Sequence, residues 1–141
     1  LAGRPDSDVL AGLEPALSAD ERARILATGR FVEEGEFQLF FRAADIAAYP
    51  YQKILTSGSL MLALSFGVPT VIPRVGMTAE VLDGRGAGML YDGAEAVAGL
   101  TAALRDLLAQ KDAGRLPAFA ANARATAEEQ DWPDFGAVLD A

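Results

Sequence analysis

Thr56-Ser57-Gly58-Ser59 places three hydroxyls and one bare backbone position between two apolar segments, inside the run "YPYQKILTSGSLMLALSFGVPTVIP". Hydroxyls donate hydrogen bonds to oxyanions, and a glycine lets a phosphate approach the main chain closely. If Thr56 or Ser57 caps the helix that follows, the amides of Gly58, Ser59 and Leu60 point out of its first turn unpaired. Together with the positive end of the helix dipole they make an anion site without any basic residue. A hydrogen bond to a charged group is worth roughly 1.5 to 3 kcal/mol, so a few of them hold a phosphate. The same four residues would also serve as the plain cap of a buried helix, and spacing alone does not separate the two readings. Lys53, just upstream, has the reach to touch a phosphate, although a lysine beside Gln52 in a loop is ordinarily solvated.

Other chemistry is scarce. The chain has no His and no Cys, which removes the commonest general base, the thiolate nucleophile and the usual soft metal ligands. No pair of carboxylates stands out as acid and base, so no catalytic residue and no metal site is assigned. Glu33, Glu34 and Glu36 gather where a helix starts and suit its dipole.

The elements that position the serine loop alternate. Residues 45–49 read as a short strand and 60–66 as a helix stopped by Gly67. Residues 69–73 read as a strand bounded by prolines, and 89–91 as a third strand after the breaks at Gly84, Gly86 and Gly88. Helical spacing covers 6–17, 34–43, 94–110, 116–129 and 135–139, and Ser18-Ala19-Asp20-Glu21 is a capping box. Residues 25–32 read as a weak strand. Near-continuous apolar strands followed by helices imply an α/β fold, a Rossmann-like parallel sheet with helices on both faces. In such sheets ligands sit beyond the carboxyl ends of the strands, where the serine loop lies.

Composition excludes some partners. With a net charge of −8 and twelve scattered basic residues in 141, the chain offers a nucleic acid no patch to bind. Its longest apolar run, 60–66, is too short to span a membrane and is interrupted by Ser65. A cytoplasmic enzyme or module fits this composition best. The chain opens on Leu1-Ala2-Gly3-Arg4-Pro5, which reads as the tail of a strand entering a turn, and so as part of a longer protein.

The ordered pieces "FRAADIAAYPY", "TSGSLMLALSFGVPTVIPRVG", "AEVLDGRGAGMLYD" and "AVAGLTAALRDLLA" resemble the C-terminal lobe of group 1 type (family 4) glycosyltransferases, which set two Rossmann-like lobes around a cleft in the GT-B architecture. The resemblance covers residues 27–132. It implies that Lys53, Thr56, Ser57, Gly58 and Ser59 hold the donor's sugar and diphosphate. It also implies that Arg30, Phe31 and Val32 lie near the nucleobase, and that Arg74, Gly76, Met77 and Glu80 lie near the donor sugar. A lone Glu80 on a short helix also reads as a cap or a solvated residue. Two glutamates usual in the family fall on Ile54 and Leu62, so the chain looks like an "SGS" variant in which capping hydroxyls take more of the polar work. That departure leaves ribose recognition without its family residue.

The resemblance therefore implies residues 1–141 to be one partial donor-binding lobe, truncated at its N-terminal end. Its enzyme would perform retaining transfer from a nucleotide diphosphate sugar in glycan biosynthesis, with neither metal nor cofactor. The acceptor would be held by a missing N-terminal lobe, and the basic pair that neutralises the diphosphate would precede Leu1. The first strand of the lobe would then be absent from the middle of the sheet, supplied by further residues or by exchange with a second copy. The full-length protein would be cytoplasmic or peripheral at the inner membrane face. Two other readings share the sheet: a non-catalytic phosphate-ligand or regulatory domain, and a sugar-nucleotide epimerase lobe.

Overall fold

The computed structural model describes residues 17–51 and 57–130. The chain divides into two units, Leu1–Phe40 and Phe41–Ala141.

In the first unit, α1 (Ala19–Ala23) starts with the capping box that its sequence spells: Ser18 Oγ accepts from the Glu21 amide, and the Glu21 carboxylate accepts from the Ser18 amide at 2.8 Å. The expected helix at 6–17 lies outside the described residues except for Leu17. The weak strand expected at 25–32 does not form. Gly29 adopts a left-handed φ of 63° that breaks the extended run, and among the described residues no strand pairs with it. A 3-10 turn at Glu34–Glu36 leads into α2 (Phe37–Ala43), so the expected helix over 34–43 is present with a tightened first turn. The Glu36 carboxylate grips Arg30 through two hydrogen bonds, at 2.6 and 2.7 Å, and accepts from the Glu33 amide at 3.0 Å. Those bonds, the one from Arg30 first, hold its carboxyl down to about 2.

The second unit is built on three parallel strands in the order β1 (Ala47–Ala48), β2 (Thr70–Pro73) and β3 (Gly88–Tyr91). Helices α3 (Gly58–Ser65), α4 (Thr78–Leu82), α5 (Ala96–Asp112) and α6 (Leu116–Glu129) connect and follow them. The central strand β2 is buried along its whole length, and its alternating side chains show why both faces are covered. Ile72 packs with Leu60, Met61 and Leu64 of α3, Val81 and Leu82 of α4, and Ala123 and Ala127 of α6. Val71 points the other way, into Tyr91 and the α5 residues Ala103 and Leu107. A strand sandwiched like this needs apolar residues on both faces rather than at alternate positions, which the consecutive Val71 and Ile72 supply, with Thr70 the one buried polar side chain of the strand. A third cluster joins Ala63, Phe66 and Val68 to Phe41 and Ala47, with the Phe41 and Phe66 rings stacked at 5.6 Å.

Each strand expected at 45–49, 69–73 and 89–91 is present: the first two are shortened to Ala47–Ala48 and Thr70–Pro73 by the stricter requirement of ladder hydrogen bonds, and the third gains Gly88 at its start. The helices expected at 94–110 and 116–129 run Ala96–Asp112 and Leu116–Glu129. The terminal helix expected at 135–139 lies outside the described residues.

The β2–β3 pairing depends on a close approach at Gly88. A Cβ there would collide with the Thr70 carbonyl oxygen and come within 2.9 Å of both the Thr70 amide nitrogen and Oγ1. Backbone cannot yield as a flexible side chain can. Gly88→Ala is therefore expected to destabilise the fold by about 1 to 3 kcal/mol, as overpacking of a close-packed interior does. Urea unfolding checks this: the midpoint should fall while the slope stays the same.

Candidate functional site

Because the strands are parallel, the segments after β1 and β2 emerge at the same end of the sheet. The serine loop follows β1 and the Arg74 to Met77 turn follows β2, so both expected groups in this unit lie at the carboxyl end where α/β sheets bind ligands.

The serine residues are built into the first turn of α3. Ser57 is its N-cap: the backbone there is extended, and its Oγ accepts from the Leu60 amide at 3.0 Å. The side chain is almost fully buried, 4% exposed, so this cap is shielded from water. Among the described residues nothing accepts from the Gly58 and Ser59 amides, and the Met61 amide is taken by the Ser57 carbonyl. Gly58 is exposed, and a Cβ built on it meets nothing within 4 Å, so its free face is open.

Three hydroxyls run in series beside these amides. Ser57 Oγ lies 3.2 Å from Ser59 Oγ, which lies 2.7 Å from the Tyr51 hydroxyl. Three hydroxyl protons serve two contacts, so whichever way the series is oriented one proton is left over. It can be given to a ligand oxygen. The first turn thus offers two backbone donors, one spare hydroxyl proton and the positive end of the helix dipole. That set suits a phosphate or another oxyanion.

Around it stand residues the sequence did not point to. Tyr49 donates from its hydroxyl to the Ser59 carbonyl at 2.7 Å, and its ring stacks on Tyr51 with centroids 5.4 Å apart. Burial pushes the Tyr49 phenol pKa well up and neighbouring Tyr51 adds to the shift, so its proton stays on at any working pH. Tyr91 donates to the Tyr49 carbonyl at 3.3 Å. The legible signal was Tyr-Pro-Tyr at a strand end, since residues two apart in an extended chain share a face. Thr78 was also missed. Its Oγ1 accepts from the Val75 amide and contacts the Pro73 and Val75 carbonyls at 2.6 and 2.8 Å, closing the turn that carries Arg74 to Met77.

Within that turn Arg74 is exposed and engaged by Asp83, with one nitrogen at 2.6 Å and the other at 3.3 Å from its two oxygens. The pairing holds the Asp83 carboxyl below its usual range. Gly76 takes a left-handed φ of 55°, Met77 packs on the core, and Glu80 is exposed on α4. Arg30, Phe31 and Val32 belong to the first unit, where Arg30 is paired with Glu36, Phe31 is exposed and Val32 is buried. Lys53, Ile54 and Thr56 lie outside the described residues. Leu62, at the other glutamate position, is part of the Phe66 cluster. Among the described residues no three acidic side chains gather as a metal-binding set, and no helix is long and apolar enough to cross a membrane.

The Ser57 cap is expected to be worth about 0.5 to 2 kcal/mol, in the range found when N-cap hydroxyls are removed. Ser57→Ala should lower the melting temperature by that measure, whereas Ser59→Ala, which removes no cap, should change it little. Thermal unfolding followed by circular dichroism separates the two.

The family model for glycosyl transferases group 1 matches residues 2–110. Two curated relatives, both GDP-mannose:glycolipid 4-beta-D-mannosyltransferases of Xanthomonas campestris pv. campestris, are 29% and 28% identical over 96% of this chain. The chain spans 37% of the length of each. Among solved structures, sucrose-phosphate synthase from Thermosynechococcus elongatus superposes on 92% of the chain with a TM-score of 0.71 at 18% identity, using 33% of its own length. That likeness supports a GT-B, Rossmann-like fold.

Proposed function

Because the chain belongs to the group 1 glycosyl transferases, we propose that it is the donor-binding lobe of such an enzyme, with the diphosphate of a nucleotide sugar seated on the first turn of α3. The observation that carries this reading is the open turn itself: the Gly58 and Ser59 amides and one spare hydroxyl proton, at the carboxyl end of a parallel sheet. Lys53 and Thr56 belong to the same segment and are proposed to complete the cradle. Arg74, Gly76, Met77 and Glu80, after the neighbouring strand, are proposed to border the sugar. The "SGS" pattern with Ile54 and Leu62 in place of glutamates fits a donor held mainly through its phosphates.

In transfer, the bond from the anomeric carbon to the diphosphate oxygen breaks, and a bond to the acceptor oxygen forms. Negative charge grows on the departing diphosphate. Donors already aimed at that position stabilise it without reorganising, which is the main service this lobe provides. The other service is to fix donor against acceptor. We assign the acceptor to another part of a longer protein, since the chain spans 37% of its curated relatives. Their named donor and acceptor make GDP-mannose and a glycolipid the first substrates to try, and a glycolipid acceptor would bring the enzyme to a membrane surface as a peripheral protein.

Stereochemistry separates two readings. The resemblance to family 4 implies retention. The relatives' names instead pair GDP-mannose, an α-linked donor, with a β-linked product, and that outcome requires inversion and a base opposite the leaving diphosphate. We place that base in the acceptor-holding part. The anomeric configuration of the product, read by NMR, decides between them.

Calorimetry with guanosine and uridine diphosphates tests the seat. Gly58→Val puts a branched side chain where the protein has open space, so the fold tolerates it while the phosphate does not. Affinity for the preferred nucleotide should drop at least about tenfold, the loss of one charged hydrogen bond. Unchanged affinity in the folded variant would remove the site from α3. The 141-residue chain alone is expected to bind nucleotide without transferring sugar, and turnover matching that of the full-length enzyme would refute its assignment as one lobe.

A further inference from the structure

We infer that Tyr49 is a positioning residue for the donor site, acting through the Ser59 carbonyl to hold the first turn of α3 against the carboxyl end of β1. The inference rests on the reading of that turn as the diphosphate seat.

Tyr49 is fixed at both its backbone and its side chain. Its amide donates to the Val71 carbonyl at 2.8 Å, extending the β1–β2 ladder by one residue. Its carbonyl accepts from the Tyr91 hydroxyl at 3.3 Å, tying it to β3. The ring packs against two of the three apolar clusters, the one around Ile72 and the one around Phe66. From this anchored base the hydroxyl reaches Ser59, ten residues on, at 2.7 Å. The receiving carbonyl belongs to Ser59, the same residue whose amide is proposed to meet the ligand, so a shift of that carbonyl turns the Ser59 backbone and disturbs both its amide and the Leu60 amide that Ser57 caps.

This bond bypasses residues 52–56. The strand end and the helix start are thus tied to each other directly by a two-torsion side chain anchored on the sheet. Tyr51, stacked on Tyr49, receives its orientation from the same ring and contacts Ser59 Oγ. One anchored tyrosine therefore orders both the backbone and the hydroxyl series of the seat. Because its burial keeps the phenol protonated, the bond persists across the working pH range.

Tyr49→Phe deletes the hydroxyl and leaves the ring in both clusters. In the full-length protein its affinity for a nucleoside diphosphate is expected to fall about threefold to tenfold, the worth of one hydrogen bond, while affinity for the matching nucleoside, which has no phosphate, is unchanged. Melting temperature is recorded alongside. A purely structural role would weaken nucleoside and diphosphate alike or lower the melting temperature alone, and either result overturns the inference. So does a Tyr49→Phe protein that keeps its full preference for the diphosphate while Gly58→Val loses it, a result that leaves the seat standing. If Gly58→Val also keeps that preference, the seat itself falls and the positioning role falls with it.

Discussion

The second unit depends on one constraint, a short helix whose sides are mostly buried and whose two ends meet their hydrogen-bonding requirement in different ways. Five of the eight residues of α3 are buried, so along those sides its backbone groups must be met by the protein, while Gly58 and Ser59 at its start are exposed. At the carboxyl end, Gly67 at φ 71° allows its amide to reach the Leu64 carbonyl and lets the Val68 amide reach Ala63, and Arg124 of α6 lies over the glycine and donates to the Phe66 carbonyl. At the amino end only part of the requirement is met from within. Ser57 takes the Leu60 amide, and the two amides before it face outward.

That asymmetry links packing to function. A buried helix that ends open at the carboxyl edge of a parallel sheet presents donors that were ordered by folding and need no further ordering when an anion arrives. In the proposed reading the acidic composition makes the backbone solution more telling: with a net charge of −8, attraction for a diphosphate would have to be local. The helix dipole, amides and hydroxyls are what would supply it. Arg74, the exposed cation on the neighbouring turn, is already engaged by Asp83.

Much of this was legible in the residues. The cap and the helix start could be read because Ser, Gly and Ser occur where an apolar segment begins, and the strand at 70–73 because prolines bound a run of Val and Ile. The doubly covered sheet followed from strands that are nearly continuous in apolar residues, as at the consecutive Val71 and Ile72. What stayed hidden depended on contacts between residues remote in sequence. Nothing local tells that the Tyr49 hydroxyl meets the Ser59 carbonyl or that Arg124 covers Gly67. The strand expected at 25–32 failed for the converse reason: its apolar spacing was visible, but Gly29 at a left-handed φ was not, and a strand exists only with a neighbour. The pairings of Arg30 with Glu36 and Arg74 with Asp83 were likewise not legible, since charged residues at the surface have many candidate partners.

The most direct measurement of the central claim is a titration of the isotopically labelled protein with guanosine or uridine diphosphate, following the backbone amides by NMR. A phosphate seated on α3 takes hydrogen bonds from Gly58 and Ser59, so their two amide signals should move downfield and saturate together with the binding isotherm. Saturable binding that leaves both signals in place and shifts amides elsewhere would contradict the account, as would the absence of binding by the full-length protein.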